Sequence, residues 1–234
     1  MSKNIFKSDP ILDNALRPKS WDNFIGQEKV KINLKIMLEA AEKRHENIDH
    51  LLFYGGAGLG KTTLAYLISQ KIGANLKITS GPAIEKAADL ASLLANLEEG
   101  DFLFIDEIHR LNKMIEEVLY SAMESRVLNL VLGKRSSTRT VQLDLPAFTL
   151  IGATTRIGLL SSPLRSRFGA IFKLNFYEIE DIKKILKNNA KLLNIKISDE
   201  ATEVLAKASR ATPRVANRFN KRLSTRGVAR LALA

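Results

Sequence analysis

The sequence has 234 residues and a formal net charge of +11 at pH 7, with 45% hydrophobic and 26% charged residues. It has no cysteine and only three histidines, which excludes disulfides and thiolate metal sites and argues against a zinc site. No apolar stretch approaches the roughly 18 residues that span a bilayer, and residues 1–10 lack the apolar core of a secretory signal. We therefore expect a cytoplasmic protein without membrane contact.

Short apolar runs alternate with amphipathic stretches along the chain. Runs that are apolar on both faces indicate central strands of a parallel sheet, whereas apolar residues three and four apart indicate helices. The pattern predicts strands at residues 51–54, 75–79, 102–105 and 148–151, and helices at residues 27–43, 62–71, 84–97, 113–124, 178–193 and 198–209. This order predicts an α/β fold, with a large parallel-sheet domain over residues 1–178, a small helical domain over 179–222 and an irregular tail over 223–234.

A glycine-rich loop lies between the first predicted strand and the helix predicted at 62–71. Residues 55–63 (GGAGLGKTT) complete the pattern G-x-x-x-x-G-K-[ST]. Such a loop places backbone N–H groups and a positive helix end around one anion. We expect Lys61 to reach the β- and γ-phosphates and the Thr62 hydroxyl to bind Mg²⁺. The sequence therefore predicts a nucleoside triphosphate site; a chance glycine-rich turn is the alternative.

Two carboxylates, Asp106 and Glu107, follow the apolar run 102–105. They are expected at the carboxyl edge of the sheet, where open α/β sheets bind ligands. We expect Asp106 to hold the Mg²⁺ shell through water and Glu107 to orient or deprotonate the attacking water. An apolar run followed by Asp-Glu is often just a strand end. Downstream of a glycine loop, it favours hydrolysis of the nucleotide over transfer to an acceptor.

Three later segments carry further candidates. Residues 151–156 (IGATTR) form a strand exit where a hydroxyl can meet the γ-phosphate or the attacking water, or an ordinary Thr-rich turn. Residues 162–169 (SPLRSRFG) carry two arginines. An arginine that reaches into a neighbouring site contributes roughly 10³–10⁵ in rate, whereas a solvated basic turn contributes nothing. Arg214, at a predicted helix start, either contacts the γ-phosphate or is exposed.

Taken together, these segments resemble the AAA+ ATPases and, within them, the RuvB family, which drives branch migration at Holliday junctions. The resemblance covers residues 10–222. It is carried by LRP (16–18), FIGQ (24–27), GLGKTTLA (58–65), FIDEIHR (104–110), LDLP (143–146), FTLIGATTR (148–156), SPLRSRFG (162–169) and TPR (212–214). The resemblance implies a RecA-like P-loop domain with a helical lid, ATP hydrolysis with Mg²⁺, and a function in DNA recombination and repair.

The resemblance also implies a role for individual residues. Thr155 is implied as the sensor of the γ-phosphate, Arg167 as an arginine finger that acts on a neighbouring subunit, and Arg214 as the second sensor. The other implied nucleotide contacts are Leu16, Arg17 and Tyr177 around the adenine and ribose, Gly58, Gly60, Lys61, Thr62 and Thr63 at the phosphates and Mg²⁺, and, as a partial match, Glu124, Ser125 and Arg126.

Partners follow from the same resemblance. Residues 127–143, with apolar alternation around Gly133-Lys134-Arg135, match the family's hairpin that docks the partner RuvA. As a bare sequence they fit equally a hairpin that only extends the sheet. Self-association into a ring, a hexamer by resemblance, and binding to Holliday junction DNA are also implied. The net charge of +11 suits a polyanionic partner, although the same charge can simply be solvated.

The sequence departs from the family in two places. Gly56 and Ala57 stand where the family usually has two prolines, which predicts a more flexible loop. The family's C-terminal winged-helix domain, which grips DNA, is not in this sequence, so a truncated or frame-disrupted gene product is one expectation. The main prediction is a DNA motor subunit for branch migration. The alternatives are a truncated RuvB-like nucleotide-binding protein without motor activity and a clamp-loader-type AAA+ ATPase.

Overall fold

The structure is a computed structural model that describes residues 16–132 and 139–225. The described chain forms two units. The first contains residues 16–27, 56–63 and 175–225, and the second contains residues 28–55, 64–132 and 139–174. In the part of the chain that the structure describes, no helix has the length and apolar character needed to cross a membrane.

In the described residues, seven strands form two sheets, both in the second unit. They are β1 (Leu51–Tyr54), β2 (Leu76–Ser80), β3 (Phe102–Asp106), β4 (Val127–Leu132), β5 (Arg139–Asp144), β6 (Thr149–Thr154) and β7 (Ala170–Lys173). Five of them form a parallel sheet in the order β2-β3-β6-β1-β7. The predicted parallel α/β sheet is therefore confirmed, and its non-consecutive strand order requires helical crossovers.

Eight helices accompany the strands. They are α1 (Glu28–Arg44), α2 (Lys61–Ile72), α3 (Ala87–Ala95), α4 (Lys113–Ser125), α5 (Ser162–Ser166), α6 (Ile179–Leu192), α7 (Asp199–Ala208) and α8 (Pro213–Thr225) in the described residues. The same part of the chain contains three single turns of 3₁₀ helix, at Gly81–Ala83, Ile108–Arg110 and Ile157–Leu159. Each helix whose bounds were predicted from the sequence is present within a few residues of those bounds. Helix α5 was not predicted, and α8 was predicted only by its start near Arg214.

The core of the second unit explains why its central strands were visible in the sequence. The strand residues of β3 before Asp106 are all buried, and so are all six residues of β6. Completely burying one leucine or phenylalanine side chain stabilises a fold by about 1.5–3 kcal/mol. Strand β7 gave no such signal because it is a four-residue edge strand in which only Phe172 is buried.

Strands β4 and β5 form an antiparallel hairpin directly after α4. Arg126 caps the C-terminus of α4; it has a left-handed backbone (φ 55°) and donates its N–H to Ala122 O. The register then pairs Val127 with Asp144 and Leu132 with Arg139. The hairpin is a two-stranded sheet of its own, so the alternative that residues 127–143 extend the main sheet is wrong. Gly133-Lys134-Arg135 lie outside the described residues.

Three helices of the first unit, α6, α7 and α8, form the predicted helical lid. Ser198 caps α7 by accepting the N–H of Ala201 at 3.1 Å. The fully buried Asn220 of α8 donates to Leu186 O of α6 at 3.0 Å, which fixes these two helices against each other. Helix α8 continues through Thr225, three residues into the stretch 223–234 that was expected to be irregular. Residues 226–234 lie outside the described residues.

A histidine joins three elements of the second unit. His50 Nδ1 accepts the N–H of Leu150 at 2.9 Å, so this nitrogen carries no proton. The other ring nitrogen, Nε2, lies 3.4 Å from Met123 O. Desolvation by burial lowers the pKa of His50 below its ordinary value, outweighing the hydrogen bond to Met123. His50 therefore stabilises the fold in its neutral form.

This burial predicts that the fold weakens in mild acid. Because the pKa of His50 is lower in the folded chain, the unfolded chain binds more protons as the pH falls through about 6.5 and below. The free energy of unfolding should decrease there with a slope of up to ~1.4 kcal/mol per pH unit, the value for one proton. The free energy of unfolding is measured by denaturant titration at each pH from 8 to 5. Its dependence on pH should be weaker for His50→Asn than for wild type. Equal slopes would contradict the assignment.

Candidate functional site

The glycine-rich loop lies mostly in the first unit. Gly55, the first residue of the motif, directly follows β1. Its N–H donates to Thr154 O, at the end of β6, at 3.1 Å. Residues 56–63 then enter α2, whose first residue is the buried Lys61. Lys61 Nζ donates to Gly56 O at 2.7 Å, so the ammonium spans the loop. Thr62 and Thr63 are half-buried in the first turn of α2.

The start of α8 packs on the same loop. Gly58 has a left-handed backbone (φ +79°), and a Cβ atom there would lie 2.7 Å from Arg214 Cβ and 3.0 Å from Thr212 Cγ2. The N–H of Arg214 points to Gly58 O at 3.4 Å. Only glycine meets both the backbone and the space requirement at this position. The predicted second sensor is thus in contact with the loop through its backbone, and its side chain is exposed.

Two aromatic residues support the loop from the same unit. The Tyr177 hydroxyl donates to Leu59 O at 3.2 Å, and Phe24 Cζ would lie 3.0 Å from a Cβ on Gly60. Desolvation raises the pKa of Tyr177 well above its ordinary value, so the hydroxyl stays protonated and can donate. Tyr177 therefore contacts the loop itself. Leu16 is buried and Arg17 is half-buried in this unit, and their contact with a nucleotide stays a prediction.

The predicted carboxylates lie at the carboxyl edge of the main sheet in the second unit. Asp106 ends β3, and Asp106 Oδ1 accepts the N–H of Glu107 at 2.9 Å. Glu107 has a left-handed backbone (φ 48°), which is uncommon for a residue with a side chain. Its carboxylate is 3.3 Å from Arg110 Nη1, an exposed pair. Strand β6 is the parallel neighbour of β3, so Thr154 and Thr155 leave the sheet at the same edge.

A histidine connects the turn after Glu107 to the end of β6. His109 Nδ1 lies 2.9 Å from Thr154 Oγ1, which also accepts the N–H of Arg156 at 2.9 Å. Desolvation lowers the pKa of His109, which favours its neutral form. Thr154 is completely buried, whereas Thr155 is exposed. Thr155 is therefore the residue of this pair whose hydroxyl can meet a ligand.

Arg167 contacts the exposed end of α4. Its Nη2 donates to Tyr120 Oη at 2.6 Å and lies 2.6 Å from Glu124 Oε1. The hydrogen bond with Tyr120 is the main cause that raises the pKa of the Arg167 guanidinium. The structure thus brings together two predicted residues, Arg167 and Glu124. Ser125 Oγ donates to Ser121 O at 2.8 Å, and Arg126 is exposed at the helix end.

The oxygen donors suit a hard cation that arrives with a ligand. Within residues 16–132 and 139–225, no group of three or more His, Cys, Asp or Glu residues could hold a metal ion. Mg²⁺ typically binds through one or two protein oxygens and the phosphates of a nucleotide. The half-buried Asp106 carboxylate and the Thr62 hydroxyl are oxygen donors of this kind. Each fits Mg²⁺ that is delivered with a triphosphate.

Comparisons with known proteins assign the chain to a family. The family model "Holliday junction DNA helicase RuvB P-loop domain" matches residues 16–174, and "RuvB AAA lid domain" matches residues 177–230. The chain belongs to the RuvB family. The "Holliday junction branch migration complex subunit RuvB" of Clostridium kluyveri is 55% identical over 217 residues, which are 93% of this chain and 62% of that protein. The protein of the same name from Kosmotoga olearia is 55% identical over 212 residues, 91% of this chain and 62% of that protein.

Solved structures of RuvB agree with the fold. The Thermotoga maritima RuvB Holliday junction branch migration motor has a TM-score of 0.81 and 52% identity, covering 90% of this chain and 66% of that chain. A point mutant of the same RuvB also has a TM-score of 0.81, with 51% identity, covering 89% of this chain and 66% of that chain. The chain spans about 62% of the length of the curated RuvB relatives that it matches.

Two residues near the RuvB-family motifs were not predicted from the sequence. His109 contacts Thr154, and Tyr120 contacts Arg167. His109 lies in the resembling segment FIDEIHR, two residues after Glu107, so its position was a usable signal. Tyr120 had no such signal in the sequence, because an aromatic residue on an amphipathic helix is usually part of the core.

Proposed function

We propose that this chain binds and hydrolyses ATP as the motor subunit of a RuvB-type branch-migration complex. The observation that carries the proposal is the glycine loop 56–63. Its lysine spans the loop, and its central glycine contacts the start of a lid helix, in a chain that belongs to the RuvB family. A loop of this kind recognises phosphate through backbone N–H groups and a helix N-terminus.

The proposed roles divide by unit. In the first unit, Lys61 and the loop glycines bind the β- and γ-phosphates, Arg214 senses the γ-phosphate, and Leu16, Arg17 and Tyr177 contact the adenosine. In the second unit, Glu107 activates the attacking water, and Thr155 binds either the γ-phosphate or that water. Thr62 and Asp106 are the proposed oxygen ligands of Mg²⁺, which neutralises phosphate charge when bound.

The proposed partners rest on the family. RuvB relatives are named as subunits of a Holliday junction branch migration complex. We propose that the β4–β5 hairpin docks RuvA, that subunits assemble into a ring, a hexamer by resemblance, and that this ring acts on Holliday junction DNA. An arginine finger requires such an assembly, because it completes the site of the next subunit. The net charge of +11 is consistent with a nucleic acid partner.

Hydrolysis of ATP is the direct test of the proposal. Lys61→Ala removes the side chain that spans the loop and should lower kcat/KM for ATP by about 100-fold or more, since it removes an electrostatic contact to the transferred phosphate. The measurement is steady-state phosphate release with Mg²⁺, with and without junction DNA. Lys71→Ala, at the exposed end of the same helix, is the matched control and should behave as wild type. Equal activity of both variants would overturn the assignment of the loop.

A further inference from the structure

Two side chains of α4 hold the guanidinium of Arg167. Tyr120 and Glu124 are four residues apart and so share one face of the helix. Both contact the same nitrogen, Nη2, at 2.6 Å, one through a phenol oxygen and one through a carboxylate oxygen. The Arg167 Cζ atom also lies over the Tyr120 ring, 4.7 Å from its centroid. We call Tyr120 and Glu124 the arginine cradle.

The other two guanidinium nitrogens of Arg167, Nε and Nη1, make no hydrogen bond or ion pair with the arginine cradle. A guanidinium has five N–H donors in a fixed plane. Nη2 donates a hydrogen bond to Tyr120 and forms the ion pair with Glu124. The Nε atom is buried and has no hydrogen-bond partner within the described residues. Nη1 likewise has no bond to a described residue, and the side chain is 35% exposed. The cradle therefore fixes the plane of the guanidinium at one corner and leaves the Nη1 donors for another acceptor.

We infer that Tyr120 and Glu124 are positioning residues for Arg167, holding Nη2 so that Nη1 is presented to the triphosphate of a neighbouring subunit. This inference rests on the proposed function of Arg167 as an arginine finger. A long, flexible side chain loses rotational freedom when it reaches a phosphate. A side chain already held at Nη2 has lost most of that freedom before the transition state, so its contribution to the rate is larger.

A purely structural role for the cradle is disfavoured by exposure. Arg167 and Glu124 have side-chain exposures of 35% and 44%, and exposed ion pairs contribute little to stability. A direct nucleotide contact by Glu124, implied by the family resemblance, is a different role with a different signature. It predicts a change in KM for ATP, whereas a positioning role predicts a change in kcat alone.

The kinetic test uses Tyr120→Phe, which keeps the ring and removes the hydroxyl, and Glu124→Gln, which keeps the shape and removes the charge. Each should lower kcat for ATP hydrolysis by about 10- to 100-fold, the range expected for a displaced catalytic group, with KM within about twofold. In an Arg167→Ala background, neither should lower kcat further, because the residues act as one unit. Glu117→Gln, exposed on the same helix, is the matched control.

A second measurement tests the cradle without hydrolysis. Nitrogen-15 NMR of arginine side chains should show separate Nη1 and Nη2 resonances for Arg167, because contacts at Nη2 hinder rotation. Arg167→Lys assigns the signals. Tyr120→Phe and Glu124→Gln should merge them, whereas Glu117→Gln should not. Thermal unfolding of each variant close to that of wild type shows that the fold is intact.

The outcomes separate the inference from the proposed function. Full activity of Arg167→Ala would overturn the arginine finger and the positioning role with it. Loss of activity in Arg167→Ala with unchanged kcat in both cradle variants would overturn the inference alone. An additional loss in the Arg167→Ala background, or a raised KM at unchanged kcat, would show that Glu124 contacts the nucleotide directly and would also overturn it. A single merged Nη signal for Arg167 in the wild-type protein would also overturn the positioning role, and this result does not depend on detecting hydrolysis.

Discussion

Replacing Arg167 with alanine is expected to lower kcat for ATP hydrolysis about a thousandfold, the lower end of the range for an arginine finger. The physical reason is the loss of a planar cation at the transferred phosphoryl group, where negative charge is spread over three oxygens. Affinity for ATP should change much less, because the contact is stronger in the transition state than in the ground state. Steady-state hydrolysis and equilibrium nucleotide binding measure the two effects separately.

Mixing variants tests whether Arg167 acts on a neighbouring subunit. Arg167→Ala keeps an intact phosphate loop, whereas Lys61→Ala keeps an intact arginine. Each should be inactive alone, but in a mixed ring an Arg167→Ala loop can meet the arginine of a Lys61→Ala neighbour. In an equal mixture, half of the subunits have the intact loop and half of their neighbours have the arginine, so about a quarter of the sites should recover. Arg165→Ala, in the last turn of α5 and two residues before Arg167, is the control. No recovery would place Arg167 in its own subunit's chemistry.

Replacing Glu107 with glutamine should separate binding of ATP from its hydrolysis. The amide keeps the shape of the side chain but is a poor base, and general base catalysis contributes about 10²–10⁴ in rate. We therefore expect hydrolysis to fall at least about 100-fold while ATP binding is retained. The left-handed backbone of Glu107 (φ 48°) supports this role, because backbone strain in folded proteins is concentrated at functional sites.

Single-turnover hydrolysis and nucleotide binding by calorimetry measure the effect of Glu107→Gln. Glu117→Gln, an exposed carboxylate on α4, should match wild type in both. If Glu107→Gln hydrolysed ATP within twofold of wild type, another group would have to activate the water. Asp106 is a less suitable base, because its Oδ1 already accepts the N–H of Glu107.

The sequence by itself determined the features that depend on neighbouring residues. The central strands β1, β3 and β6 were predicted because a strand buried on both faces is an unbroken apolar run. The glycine loop was predicted because its backbone geometry and its lysine are encoded within nine consecutive residues. Asp106 and Glu107 were predicted because they directly follow the apolar run 102–105. In each case, the physical requirement and the residues that meet it are adjacent in the chain.

Only the tertiary structure decided the contacts between distant residues. Strand β7 is too short and too exposed to produce a pattern, and it is a strand because β1 offers an edge. The hairpin is a separate sheet because β4 and β5 pair only with each other in the described residues. The apolar alternation of residues 127–143 does not specify this pairing. Likewise, Arg167 meets Tyr120 across 47 positions of sequence, and His109 meets Thr154 across 45. Such contacts depend on how the helices and strands pack. The family resemblance therefore singled out Arg167 and Glu124 separately, but it predicted neither their contact nor Tyr120.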